Sequence, residues 1–155
     1  MTSPMLRAQR PEDEAFLRHL YAMTRDDLRQ LPLDPASLGA LIDMQYEAQR
    51  TGYRAMYPRA SYLVVERDGE PLGRAIVDEN DEELRLVDIA LLPQTRGQGI
   101  GTALIGIWQR AAAGRGKRVV LSVLHTNGRA RRLYEALGFV ACGGDGVRCE
   151  LVWRG

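Results

Sequence analysis

Leu84-Arg85-Leu86-Val87-Asp88-Ile89-Ala90-Leu91-Leu92-Pro93 runs directly into Gln94-Thr95-Arg96-Gly97-Gln98-Gly99-Ile100-Gly101, and this junction is the most informative stretch of the chain. Its first part reads as a buried strand stopped by proline. Beyond it, Ile100, Ala103, Leu104, Ile107, Trp108 and Ala111 recur at helical spacing. A glycine-rich turn therefore joins a strand to the first turn of an amphipathic helix. Alternating glycines keep side chains away from the backbone, and the free N–H groups and positive dipole end of the helix face the space they leave. Such a turn binds phosphate.

Two familiar phosphate loops fit poorly. A Walker A loop ends in Gly-Lys-Ser/Thr, whereas Gly101 is followed by Thr102 and Ala103. A dinucleotide fingerprint needs glycine at 102 and an acidic residue about 20 positions on, at the end of the next strand. The corresponding segment here is Lys117-Arg118-Val119-Val120. The pattern that fits is R/Q-x-x-G-x-G/A, carried by Arg96, Gly99 and Gly101. It resembles the pyrophosphate loop of the GNAT N-acetyltransferase superfamily. A second segment agrees: Asn127-Gly128-Arg129-Ala130-Arg131-Arg132-Leu133-Tyr134-Glu135-Ala136-Leu137-Gly138-Phe139 is similar to that superfamily's N-x(6)-Y-E-x-x-G-F signature. Read without the family, Asn127 caps a helix that ends at Gly138. Asn127 and Tyr134 are about two turns apart and share a face. Tyr134 also suits a core position between Ala130 and Leu137, and both readings stand.

At 155 residues the chain is read as one domain, residues 1–155, with 45% apolar residues and a formal net charge of +1. Its 21 basic residues are dispersed, which argues against a nucleic-acid partner. No apolar run approaches the about 18 residues of a membrane span. Met1-Thr2-Ser3-Pro4-Met5-Leu6-Arg7 lacks the apolar centre of a signal peptide. The two cysteines, Cys142 and Cys149, are expected as buried thiols in a reducing cytoplasm, although a hairpin could pair them. His19 and His125 are the only histidines and no ligand spacing is present, so no metal is expected.

Met5–Gln9 reads as a first strand, and Pro11 with Glu12, Asp13 and Glu14 as a helix start whose stripe runs from Phe16 to Leu31. Asp34-Pro35 opens a second helix, closed by Tyr57-Pro58. Its stripe changes from Leu38, Leu41 and Ile42 to Gln45, Tyr46, Gln49 and Tyr53. Ser61–Glu66 and Leu72–Val77 are strands around an Asp68-Gly69 turn, Lys117–Leu124 is a strand, and Phe139–Cys142 with Val147–Trp153 form a terminal hairpin. The order β-α-α-β-β-β-α-β-α-β-β predicts a mixed α/β, mostly antiparallel sheet flanked by helices. One right-handed strand-helix-strand crossover is expected at the glycine loop. This is also the element order of GNAT folds. The resemblance covers residues 60–154; residues 1–58 match only in the coarse order of elements.

The resemblance implies acetyl-CoA as acyl donor and a small-molecule or peptide amine as acceptor. It implies that residues 97–102 (Gly97, Gln98, Gly99, Ile100, Gly101, Thr102) and Arg96 hold the pyrophosphate. Ile89, Ala90 and Leu91 would pair with the pantetheine arm, and their N–H groups could polarise the thioester. Asn127 would bond the arm, and Tyr134 would protonate the departing thiolate. The base is left open. Ser122 stands where some relatives carry glutamate, and Asp88, Asp78 and Glu47 are candidates. Gln45, Tyr46, Gln49 and Tyr53 either line the acceptor pocket or pack on the sheet. Direct attack in a ternary complex is favoured. The alternative is a non-catalytic acyl-CoA-binding regulatory or sensory module. A homodimer is left open.

Overall fold

The computed structural model describes residues 2–155. Seven strands form one sheet in the order β1-β2-β3-β4-β5-β7-β6. They are β1 (Met5–Ala8), β2 (Ser61–Arg67), β3 (Glu70–Glu79), β4 (Glu83–Leu91), β5 (Arg118–Leu124), β6 (Val140–Gly144) and β7 (Arg148–Trp153). Every neighbouring pair is antiparallel except β4 and β5. Those two are parallel because α4 (Ile100–Gly114) carries the chain back between them. The remaining helices are α1 (Glu14–Thr24), α2 (Asp26–Arg29), α3 (Pro35–Met56) and α5 (Gly128–Ala136). The mixed, mostly antiparallel α/β architecture read from the sequence is the one observed.

Helix α4 buries Ile100, Leu104, Ile105, Trp108 and Ala112 against β4, β5 and their neighbours, which places the larger core on one side of the sheet. A smaller core of Leu17, Tyr21, Ile42 and Tyr46 locks α1 to α3. The start of α3 follows from local chemistry. Asp34 is the N-cap and accepts a hydrogen bond from the Ser37 N–H (3.1 Å), and Pro35 occupies the first turn.

Two expectations change. The first helix does not run on to Leu31, which is 41% exposed. It ends at Thr24, whose hydroxyl donates to the Tyr21 carbonyl at 2.8 Å, and Arg25 leaves helical geometry at φ −108, ψ 57. The Arg25 guanidinium then pairs with Asp27, so the chain restarts as the short α2. The cysteines also differ: Cys149 is buried but Cys142 is exposed, and both are free thiols. β6 is an edge strand, exposed along its length, and a register irregularity between Ala141 and Gly143 leaves Cys142 outside the paired positions. No helix among the described residues is long and apolar enough to cross a membrane.

At Gly73, β3 lies against β4 with no room for a side chain. A Cβ there would lie 2.3 Å from the Ala90 carbonyl oxygen and 2.7 Å from Leu91 Cδ2. Gly73→Ala must therefore push β4 away from β3. It should destabilise the fold by about 1–3 kcal/mol, the usual cost of overpacking. Urea denaturation measures this, and an unchanged midpoint would rule out so close an approach.

Candidate functional site

The site begins with one extra residue. In the β3–β4 ladder Ile76 faces Asp88 and Val77 faces Leu86, so Val87 has no partner. The bulge bends β4. On its other side β4 pairs with β5 only from Glu83↔Arg118 to Leu86↔Leu121. Beyond that point β4 stays with β3 and β5 stays with β7, as far as Leu124↔Arg148. The two strands therefore splay apart. Residues 87–91 present a free backbone edge towards β5, and Ile89, Ala90 and Leu91 lie on it, each half-buried.

The glycine loop sits above the end of β4. Pro93–Thr95 forms a single 3₁₀ turn, and Thr95 donates to the Leu92 carbonyl at 2.7 Å. Gly97 (φ 79) and Gly99 (φ 75) are left-handed, a conformation that favours glycine. A Cβ on either would meet nothing within 4 Å, so the loop is open. Gly99 is the N-cap of α4, and no side chain caps that end. Its first-turn N–H groups thus remain available to a ligand, with the dipole behind them. Arg96 and Thr102 are exposed, and Gln98 folds back to donate to the Gln94 carbonyl at 3.1 Å. Helix α5 packs close by: the space beside Gly101 is bounded by Leu133 Cδ2 at 3.7 Å from a Cβ position.

A cleft of about 170 Å³ opens in the splay. Tyr134, Asp88, Ser122, Asn127, Tyr53 and Arg148 all reach its wall. Asn127 caps α5 by accepting from the Ala130 N–H at 3.2 Å. Tyr134 packs its ring on Phe139 (centroids 5.9 Å apart) and is half-buried, so its core and cleft readings both describe it. Burial, and secondarily the charge of Asp88, raise its pKa above the ordinary phenol value. The same two causes push Tyr53 up to about 12. Both phenols are therefore protonated at neutral pH. Ser122 accepts from an Arg148 guanidinium N–H at 3.2 Å.

Asp88 is held in place by Arg74, which lies on β3 at 7% exposure and donates through Nε to Asp88 Oδ2 at 2.7 Å. Arg74 also donates to Gln49 Oε1 on α3. An amide at core spacing on α3 is thus explained by a buried guanidinium that needs acceptors. Glu47 is occupied elsewhere, by Arg18 and by Arg50 at 3.8 Å, and Asp78 lines neither cleft. A second cavity, about 290 Å³, lies between α1, α3 and strands β2 and β3. Tyr46 and Tyr53 line it, Gln45 and Gln49 do not, and Tyr53 belongs to both cavities. Arg74 and Arg148 were not singled out from the sequence. Arg74 carried a signal, being a lone charge inside the apolar run Gly73-Arg74-Ala75-Ile76-Val77. Arg148 carried none. Among the described residues no cluster of His, Cys, Asp or Glu could hold a metal.

Comparison with known proteins identifies the fold and the family. Among solved structures, the chain is similar to the PaiA N-acetyltransferase of Thermoplasma acidophilum in complex with coenzyme A. The TM-score is 0.73 at 16% identity, over 99% of both chains. It is similar to an acetyltransferase of Thermus thermophilus, with a TM-score of 0.68 at 19% identity over 98% of each. The ribosomal-protein-S18-alanine N-acetyltransferase of Escherichia coli gives 0.65 at 20% identity, over 96% of this chain and 90% of that one. At such identities the likeness is one of fold. No curated protein matches the chain in sequence. The sequence profile of the acetyltransferase (GNAT) family matches residues 20–139, and the chain belongs to that family.

Proposed function

We propose that this protein transfers the acetyl group of acetyl-CoA to an amine by direct attack in a ternary complex. The observation that carries the reading is the meeting of two features at one place. An uncapped helix N-terminus behind an open glycine loop stands at the mouth of a splay between parallel strands, and a protonated tyrosine lines that splay.

In the reaction the amine nitrogen bonds to the thioester carbon, the carbon–sulfur bond breaks, and the sulfur leaves with the bonding pair. The chain's residues have separate tasks. The N–H groups of residues 97–102 bind pyrophosphate oxygens, with Arg96 adding charge. The free edge at Ile89, Ala90 and Leu91 pairs with an amide-bearing arm as a further strand would, and Asn127 bonds the same arm. Tyr134 gives its hydroxyl proton to the leaving sulfur. Its raised pKa keeps that proton in place at neutral pH. Asp88 is the only carboxylate lining the splay among the described residues. It attracts the ammonium form of the acceptor and takes up its proton, and Arg74 fixes where that happens. Ser122, at the position where some relatives have glutamate, is turned to Arg148 and takes no proton in this scheme. Most of the rate then comes from holding amine and thioester in contact. A non-catalytic acyl-CoA-binding module would need the loop but would place no demand on the Tyr134 hydroxyl.

Gly101→Glu tests the loop. Gly101 lies in the first turn of α4 with ordinary van der Waals room for a side chain, and a carboxylate there favours the helix dipole. The fold should keep its stability, while coenzyme A affinity by calorimetry should fall at least about tenfold through repulsion of the pyrophosphate. Unchanged affinity would remove the loop from the site. Gly99→Val is the poorer test because its left-handed backbone would strain the fold itself.

Tyr134→Phe keeps the ring on Phe139 and removes the hydroxyl. Once an acceptor amine is in hand, kcat should drop at least about tenfold with coenzyme A affinity unchanged. A full-rate variant would assign Tyr134 to packing alone.

A further inference from the structure

The cavity of about 290 Å³ on the α1–α3 side of the sheet is lined by four arginines, Arg10, Arg50, Arg54 and Arg74. One carboxylate, Glu14, lines it with them. Glu14 is already shared between Arg18 at 3.3 Å and Arg50 at 3.5 Å. Arg74 is committed to Asp88. Arg10 and Arg54 make no ion pair among the described residues. Asp13, the carboxylate near Arg10, is taken by a two-point bond from Arg7 at 2.7 and 2.8 Å. Arg54 lies over the Tyr62 ring at 4.2 Å from its centroid. Stacking of that kind engages the face of the guanidinium and leaves its N–H rim open to an anion.

The opposite charge is found where the two cavities meet. Tyr53 belongs to both walls, and across it, in the splay, stands Asp88. The outer cavity therefore holds two arginines with no carboxylate partner among the described residues, Arg10 and Arg54, while in the splay Asp88 is ion-paired with Arg74 and Arg148 is bonded to Ser122. We propose that the acceptor amine carries an anionic group, which Arg10 and Arg54 bind while the amine passes Tyr53 to reach Asp88 and the thioester. This rests on the acetyltransferase reading above and narrows its substrate class. A polyamine or other polycation would place like charges beside Arg10 and Arg54 and is disfavoured. The volume, at the low end for ligand pockets, suits a small acceptor such as an amino acid. The products are the N-acetylated acid and coenzyme A.

The test is thiol release from acetyl-CoA with acceptors of matched length: γ-aminobutyrate, O-phosphoethanolamine, butylamine and putrescine. The L-amino acids are run beside the amines obtained by their decarboxylation. Anionic acceptors should exceed their neutral and cationic counterparts at least about tenfold in kcat/KM, and the carboxylate and phosphate arms identify the anion. Arg54→Gln and Arg10→Gln should each raise KM for the best anionic acceptor by about tenfold or more, with KM for acetyl-CoA unchanged. A best acceptor that is neutral or cationic, or parent KM values in both variants, overturns the proposal and leaves the acetyltransferase reading intact. Absence of release with every acceptor, from protein that binds coenzyme A, counts instead against the acetyltransferase reading. The cavity is then judged by calorimetry with the anionic acceptors. Binding that Arg54→Gln weakens sustains it, and no binding to the parent protein overturns it.

Discussion

A single unpaired residue, Val87, governs the working part of this molecule. The bulge it creates bends β4 at the point where its ladder with β5 stops. With regular pairing the two strands would saturate each other's backbone groups, and the sheet would offer no gap. Each strand keeps its outer neighbour through the splay, so both stay hydrogen-bonded into the sheet. The bulge also resets which side chains face the larger core. Leu84 and Leu86 pack there before it, and Ile89 and Leu91 after it. Asp88 is thereby turned to the opposite side, towards Arg74 and α3.

The Arg74 side chain is the second element on which the site depends. A guanidinium at 7% exposure is tolerated only because Asp88 and Gln49 accept its N–H groups. It joins β3, β4 and α3 through one side chain. Removing one partner from a buried pair of this kind typically costs about 3–5 kcal/mol. The arrangement therefore fixes a carboxylate at the splay and fixes α3 over the acceptor side in one step.

Charge and burial act together on the two phenols that flank the splay. Tyr53 and Tyr134 are both desolvated, and both feel the Asp88 carboxylate. Each influence opposes ionisation. A proton is thus retained on Tyr134, which stands next to Leu133 of α5, the residue that bounds the space beside Gly101. On the acceptor side the balance reverses, and arginines outnumber acidic residues.

The sequence by itself determined the order of strands and main helices, the parallel crossover, the glycine turn and the capped helix carrying Asn127 and Tyr134, but not the break that separates α1 from α2. All of these rest on local chemistry: glycine at positive φ, proline and Asp34 at a helix start, apolar spacing along Ile100–Ala112. A trace of the bulge was present too, as a one-residue slip in phase from Leu84 and Leu86 to Ile89 and Leu91. Only the tertiary structure decided the partners of Gln49, Asp88 and Ser122, and the Arg18 partner of Glu47, because each is an arginine distant in sequence. Composition gives 21 basic residues dispersed along the chain, yet folding gathers four arginines around one cavity. Charge density in a cavity is a property of which strands and helices meet, and no spacing along a single element encodes it.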